Sequence, residues 1–161
     1  MNEVKIIVRG EAVALARPRF AIIKGKNGQS FPHVYNPSHV AKYQSFVRQM
    51  AQQAMEGRPP LEGPLRAEFI IVQPIPQSWS KRKVAQAMCG SVRPTGRPDL
   101  SNLIKNAEDG LLGIVYRDDS QIVAIHATKC YGTTPQMQIR VSQLLASQET
   151  EDSGSLFDQK S

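Results

Sequence analysis

Arg97-Pro98-Asp99-Leu100-Ser101-Asn102-Leu103-Ile104-Lys105, continuing through Asp109 and Gly113 to Tyr116-Arg117-Asp118-Asp119-Ser120-Gln121, is the stretch on which the reading of this chain turns. Its spacing predicts a helix over residues 101–112, ending at Gly113. Asp99 precedes that helix, where a carboxylate either caps the free amides or stays available for a cation. Asp118 and Asp119 follow the helix, immediately before a predicted strand over residues 122–131. A helix running back antiparallel to that strand would bring Asp119 beside Asp99. Two or three carboxylates and Lys105 would then share one cleft. Along the helix, Lys105 lies one turn from Ser101 and one turn from Asp109. The plain alternative keeps Asp99 as a cap, Lys105 and Asp109 as a surface pair, and Asp118-Asp119-Ser120 as a polar turn.

The surroundings favour chemistry on an anion. Residues 1–146 hold ten carboxylates, and five of them fall within the 21 residues from Asp99 to Asp119. The chain carries +6, and the acidic segment 147–161 contributes −3, which leaves +9 on residues 1–146. An excess of that size points to an anionic partner, most simply nucleic acid. An acidic knot inside a basic protein suits a metal-dependent enzyme acting on phosphodiesters. Mg²⁺ takes oxygen ligands, commonly one or two protein carboxylates with phosphate oxygens and water. Such an ion polarises the phosphate and acidifies the attacking water, while Lys105 could offset charge at phosphorus.

Outward from this stretch, residues 4–9 read as a first strand, and residues 31–35 as a short strand returning after a basic turn. Asn36-Pro37-Ser38 opens an amphipathic helix over residues 38–55, with Val40, Tyr43, Phe46, Val47, Met50 and Ala54 at helical spacing. Residues 65–72 form a strand stopped by Pro74 and Pro76. A short helix follows to about Met88, with Ser78 or Ser80 as its cap. Residues 122–131 and 137–144 are the last strands, expected to be antiparallel neighbours. The class is α+β, or mixed α/β: a single compact domain over residues 1–146, with a mixed sheet and about three helices. Residues 147–161 are polar, acidic and without periodicity, so disorder is expected there. No apolar run is long enough to span a membrane. Cys89 and Cys130 are too few and too isolated for a disulfide framework or a zinc site, and a cytoplasmic location is the default.

The segment from Arg97 to Lys105, together with Asp109, Gly113, Tyr116, Asp118-Asp119, Gln121-Ile122-Val123 and Lys129, resembles the RusA family of Holliday-junction resolvases. That signature reads Arg/Lys-Pro-Asp-x-Asp-Asn-Leu-x-Lys, then an Asp ten residues after the first, then Asp-Asp-x-Gln-Val/Ile-Val. Arg17-Pro18-Arg19-Phe20 and Tyr35-Asn36-Pro37 look like the family's opening. The resemblance implies a RusA-like fold in a bacterial or phage-encoded endodeoxyribonuclease. It implies a homodimer that cuts paired strands of a four-way junction with Mg²⁺, or with Mn²⁺ in its place, in recombination and repair. Asp99 would be the first essential acid, Asp119 the last, Lys105 the essential lysine, and Asp118 a further metal neighbour. One position departs, because Ser101 stands where the family usually has a second acid. Either its hydroxyl or a water substitutes, or Asp118 or Asp109 supplies the charge, or the chain binds junctions with weakened or lost cleavage.

Arg17, Arg19, Lys24 and Lys26 form one basic group, Lys81, Arg82 and Lys83 a second, and Arg93 and Arg97 a third. Cations at a helix start oppose its dipole, which turns Lys81, Arg82 and Lys83 toward a DNA-facing role. Phe20, Phe31, Tyr35 and Trp79 read first as core and second as bases' stacking partners, Trp79 being the best candidate for a wedge. Met50, Met55 and Met88 read as packing. His33, His39 and His126 share no ligand spacing. In the tail, Ser155-Leu156-Phe157-Asp158 resembles the end of sliding-clamp-binding peptides, with Leu156 and Phe157 as the contacts, but lacks that motif's glutamine and first leucine.

Overall fold

The strand at residues 65–74 alternates buried and less buried positions, sending Leu65, Ala67, Phe69 and Ile71 to one side. That period of two is what a sheet with a single covered face requires. The computed structural model describes residues 2–17, 19–35 and 37–145. Its strands are β1 (Glu3–Arg9), β2 (Arg19–Lys24), β3 (Ser30–Tyr35), β4 (Leu65–Pro74), β5 (Ile122–Gly132) and β6 (Gln136–Gln143). Its α-helices are α1 (Ser38–Met55), α2 (Lys81–Met88) and α3 (Leu100–Leu111).

Four strands form one mixed sheet in the order β1-β6-β4-β5, with β5 parallel to β4 and the other neighbours antiparallel. The register stacks apolar side chains in rows across the strands. Val4, Val141 and Ala67 make one row, Ile6, Ile139 and Phe69 the next, and Val8, Met137 and Ile71 the third. All nine are buried. The rows form the floor of the core, and α1 and α3 form its roof through Tyr43, Val47, Ala51, Met55, Leu103, Ala107 and Leu111. The two helices approach closely at Gly110, where a Cβ would stand 2.8 Å from Val47 Cβ. Glycine costs helix stability in itself but here permits that contact.

Among the described residues no helix lies over the far face of the sheet. Ile7 and Ile70 are exposed there, beside the cross-strand ion pair of Glu68 with Arg140. β2 and β3 form a separate two-stranded sheet, paired among the described residues with each other alone.

The expected α+β architecture, with a mixed sheet and three helices, is present. One expected pairing is not. β5 and β6 are not neighbours but flank β4 on opposite sides. The turn at residues 133–135 is long enough to step over one strand, because two inter-strand gaps amount to about 9.6 Å. β4 carries a buried apolar row and takes the interior position between them. Among the described residues no helix is long and apolar enough to cross a membrane. The acidic tail and its Leu156 and Phe157 lie outside the described residues.

Candidate active site

α3 divides its residues between two faces. Leu103, Asn106, Ala107, Gly110 and Leu111 are buried. Ser101, Lys105 and Glu108, at intervals of four and three, share the other face, the first two exposed and the third half-buried. Helical side chains lean toward the N-terminus, so Lys105 leans back along this stripe toward Ser101.

Asp99 is the N-cap residue of α3, yet its side chain makes no capping hydrogen bond. Its backbone oxygen accepts the first bond of the helix, from Leu103 N at 3.1 Å, and its exposed carboxylate is left uncommitted because it does not cap the free amides. The approach to Asp99 is pinned from the sheet. Lys129 on β5 lies level with Ile71, in line with the Val8–Met137 row. Its Nζ donates to the carbonyls of Gly96 at 2.9 Å and Pro98 at 3.0 Å. A cation satisfied by two carbonyls ties the loop before the aspartate to the end of the sheet.

Asp118 and Asp119 occupy different positions in their turn. Asp118 caps the short 3₁₀ turn Asp119–Gln121, accepting from Ser120 N at 2.8 Å, and the Ser120 hydroxyl first and this amide second hold its carboxyl below the ordinary aspartate value. Gln121 locks the same turn. Its Oε1 accepts from the amides of Arg117 and Asp118, and its Nε2 donates to the carbonyls of Leu61 and Gly63. Asp119 is thereby presented exposed at the mouth of β5. Its charge reaches Glu108, whose carboxyl is raised by burial first, by Asp119 and Asp109 next, and against the lowering effect of Lys105. Tyr116 is buried beneath, donates to the Glu108 carbonyl at 3.1 Å, and has its phenol pushed up by burial and these acids.

The structure therefore gathers Lys105, Glu108, Asp109 and Asp119 around the second half of α3, with Asp99 at its head. Asp109 does not pair with Lys105. Gln44 of α1 donates to its Oδ2 at 3.2 Å, and Arg48 donates to its carbonyl at 3.5 Å. With Asp118 capping and Asp109 held by α1, both candidates to replace the acid missing at Ser101 have other work. Among the described residues no group of three acids, histidines or cysteines forms a ready metal cage. Asp99 and Asp119 are exposed carboxylates, the oxygen donors that Mg²⁺ takes in small number while keeping its water.

A strap over residues 10–17 crosses α3. Leu15 N donates to the Asn102 carbonyl at 2.9 Å, and buried Asn106 donates through Nδ2 to the Val13 carbonyl at 2.7 Å. It delivers Arg17, exposed, next to the hairpin that begins with exposed Arg19. Arg93 and Arg97 are exposed on the loop into Asp99, and Lys81 and Arg82 at the start of α2, where Ser80 is the cap. Lys83 differs, its Nζ lying 4.0 Å from the centre of the Trp79 ring. Trp79 packs edge-on against Tyr131 with centroids 5.0 Å apart, so its ring is already covered by its own chain.

Sequence reasoning missed Glu108, the pinning role of Lys129 and the strap bond of Asn106. The signal for Asn106 was visible, a lone amide on the apolar stripe of Leu103, Ala107 and Gly110. Phe20, Phe31 and Tyr35, read first as core, are exposed, and so is Met88, read as packing. Among the described residues β2 and β3 lie on no apolar surface, so nothing there buries the three aromatics.

The family model described as endodeoxyribonuclease RusA matches residues 9–142. The chain is also similar to the uncharacterized protein YqaN of Bacillus subtilis strain 168, 34% identical over 150 residues that span 91% of this chain and all of that protein. The matched span runs from the end of β1 through the strap, the face of α3, the Asp119 turn and nearly all of β6, and the chain belongs to the RusA endodeoxyribonuclease family.

Proposed function

We propose that this protein is a Mg²⁺-dependent, structure-selective endonuclease that resolves four-way junctions and related branched DNA as a homodimer. The observation that carries this reading is the uncommitted carboxylate of Asp99 at the head of α3, on the helix whose exposed face bears Lys105. A capping role would have used that carboxylate. Asp99 and Asp119 are the residues to hold the ion, which when bound supplies Lewis acidity and a more acidic water. Lys105 offsets negative charge as water adds to phosphorus and the bridging oxygen departs. Arg17, Arg19, Lys81, Arg82, Arg93 and Arg97 hold flanking phosphates, contacts that give affinity and salt dependence without reading sequence. Two copies related by a two-fold axis suit the near symmetry of a four-way junction.

The test is a labelled four-way junction incubated with Mg²⁺ or with chelator. Paired nicks at symmetric positions, only with Mg²⁺, are expected. Asp119→Asn should abolish cutting and leave binding intact or tighter, because less negative charge faces phosphate. Ser101→Asp should raise both Mg²⁺ affinity and cleavage. Binding without nicks in either metal condition would make the chain a junction-binding member of its family instead.

A further inference from the structure

Beyond Arg19 at its start, the proposed chemistry leaves the β2–β3 hairpin unused. Its register sorts its side chains onto two faces. Arg19, Ala21, Ile23, Phe31, His33 and Tyr35 share one, where His33 and Tyr35 stack with centroids 6.1 Å apart. The other face carries Phe20, Ile22, Pro32 and Val34, ending at Lys24 and Ser30. On this face Phe20 is 78% exposed, Ile22 75% and Val34 53%. An isolated two-stranded hairpin is marginal in water, and exposed apolar patches of this kind mark contact surfaces. The tip is well formed, with Gly25 N donating to the Gln29 carbonyl at 2.8 Å and Gly28 N to the Gly25 carbonyl at 3.1 Å.

Both faces are open, that of Phe20 and Ile22 the more so, and charge decides what covers it. From residue 12 to residue 55 the chain contains no Asp or Glu, while Arg17, Arg19, Lys24 and Lys26 flank the hairpin. Packing it against the hairpin of a second copy would gather eight cations and no carboxylate. A polyanion inverts that balance, since each cation set on a phosphate releases a counterion. Apolar side chains including Phe, Ile and Pro enter the minor groove between base steps, and exposed bases stack on aromatic rings.

We propose that the β2–β3 hairpin is a DNA-inserting arm. The face of Phe20, Ile22, Pro32 and Val34 enters the base stack next to the branch, and Arg17, Arg19, Lys24 and Lys26 hold the phosphates on either side. This rests on the branched-DNA reading and extends it to how the substrate is opened. It differs from wedging by Trp79, whose ring is covered by Tyr131 and Lys83.

The experiment uses the full chain and a four-way junction carrying 2-aminopurine beside the branch point. Wild-type protein should raise 2-aminopurine fluorescence on binding. The Phe20→Ser/Ile22→Ser variant should lose most of that rise and bind at least tenfold more weakly, with an unchanged circular dichroism spectrum and melting midpoint. Lys24→Gln/Lys26→Gln should flatten the salt dependence of binding by about two phosphates' worth, while at saturating protein the fluorescence rise persists. Junction binding and cutting by the wild type, with the Phe20/Ile22 variant matching it in fluorescence and affinity, would overturn the arm and leave the endonuclease reading standing. So would a wild type that binds without any rise, or a salt slope untouched by the lysine changes. A Phe20/Ile22 variant that sediments as a monomer where the wild type is a dimer would assign the face to a second copy and also overturn it. A wild type that binds no DNA would sink both readings together.

Discussion

α3 and the β2–β3 hairpin are joined by one strap of chain, yet they are held by opposite means. α3 is fixed from three sides: by Val47 at Gly110, by the strap through Asn106, and by Lys129 at the loop before Asp99. The hairpin is held by its own ladder and its own turn. The contrast separates two uses of an apolar residue. In the body a phenylalanine stabilises the fold, whereas in the hairpin it serves a contact with something outside the chain.

Two phenylalanines test that contrast most directly. Phe69→Ala, at the centre of β4, should cost about 3–5 kcal/mol in urea unfolding, the range for a buried aromatic truncated in a packed core. Phe20→Ala should stay within about 0.5 kcal/mol, as for an exposed position. Equal losses would mean that the hairpin is packed in solution. Next in size is Lys129→Met, which removes both donors from the Gly96 and Pro98 carbonyls. It should lower stability by about 1–3 kcal/mol and slow cleavage tenfold or more, through loss of position at Asp99. Junction affinity should barely change and Lys129→Arg should restore part of the rate; a loss of binding as large as the loss of rate would deny Lys129 its positioning role.

Gly110→Ala should destabilise by about 1–3 kcal/mol, because its Cβ would meet Val47. The companion change Val47→Ala should recover part of that loss in a double-mutant cycle. The smallest effect is expected on the open face of the sheet. Glu68→Gln should cost about 0.2–1 kcal/mol at neutral pH. The Arg140 bond holds the folded Glu68 carboxyl below its ordinary value, so its stabilisation is complete above about pH 4.3. It is lost as pH falls through the folded value, and melting curves of wild type and variant should converge in acid.

Much of the body was legible because periodicity reports burial. The stripe of α1 and the place of α3 along the chain follow from residue spacing. The neighbours of β5 did not, because pairing depends on which strand claims the interior of the sheet, and a three-residue turn allows either outcome. In the site, Asp99, Lys105 and Asp119 stood out as residue types in a pattern. Whether Asp99 was a cap and whether Asp118 was free depended on hydrogen bonds that spacing does not encode. Phe20 and Phe31 misled for the reverse reason, since hydrophobicity in a strand is the same letter whether it is meant for the core or for a partner.

The position of β6 sets the order in which this molecule can be assembled. It lies between β1 and β4, and it alone joins the first strand to the rest of the sheet. Residues 3–9 must therefore wait for residues 136–143. During synthesis the carboxylates of α3 and the Asp119 turn leave the ribosome before the floor of the core can close beneath them. Such long-range pairing slows folding relative to local contacts. It also means that a chain stopped short of β6 would carry the site residues without the sheet that holds them in place, so a truncated product should be inert rather than a loose nuclease.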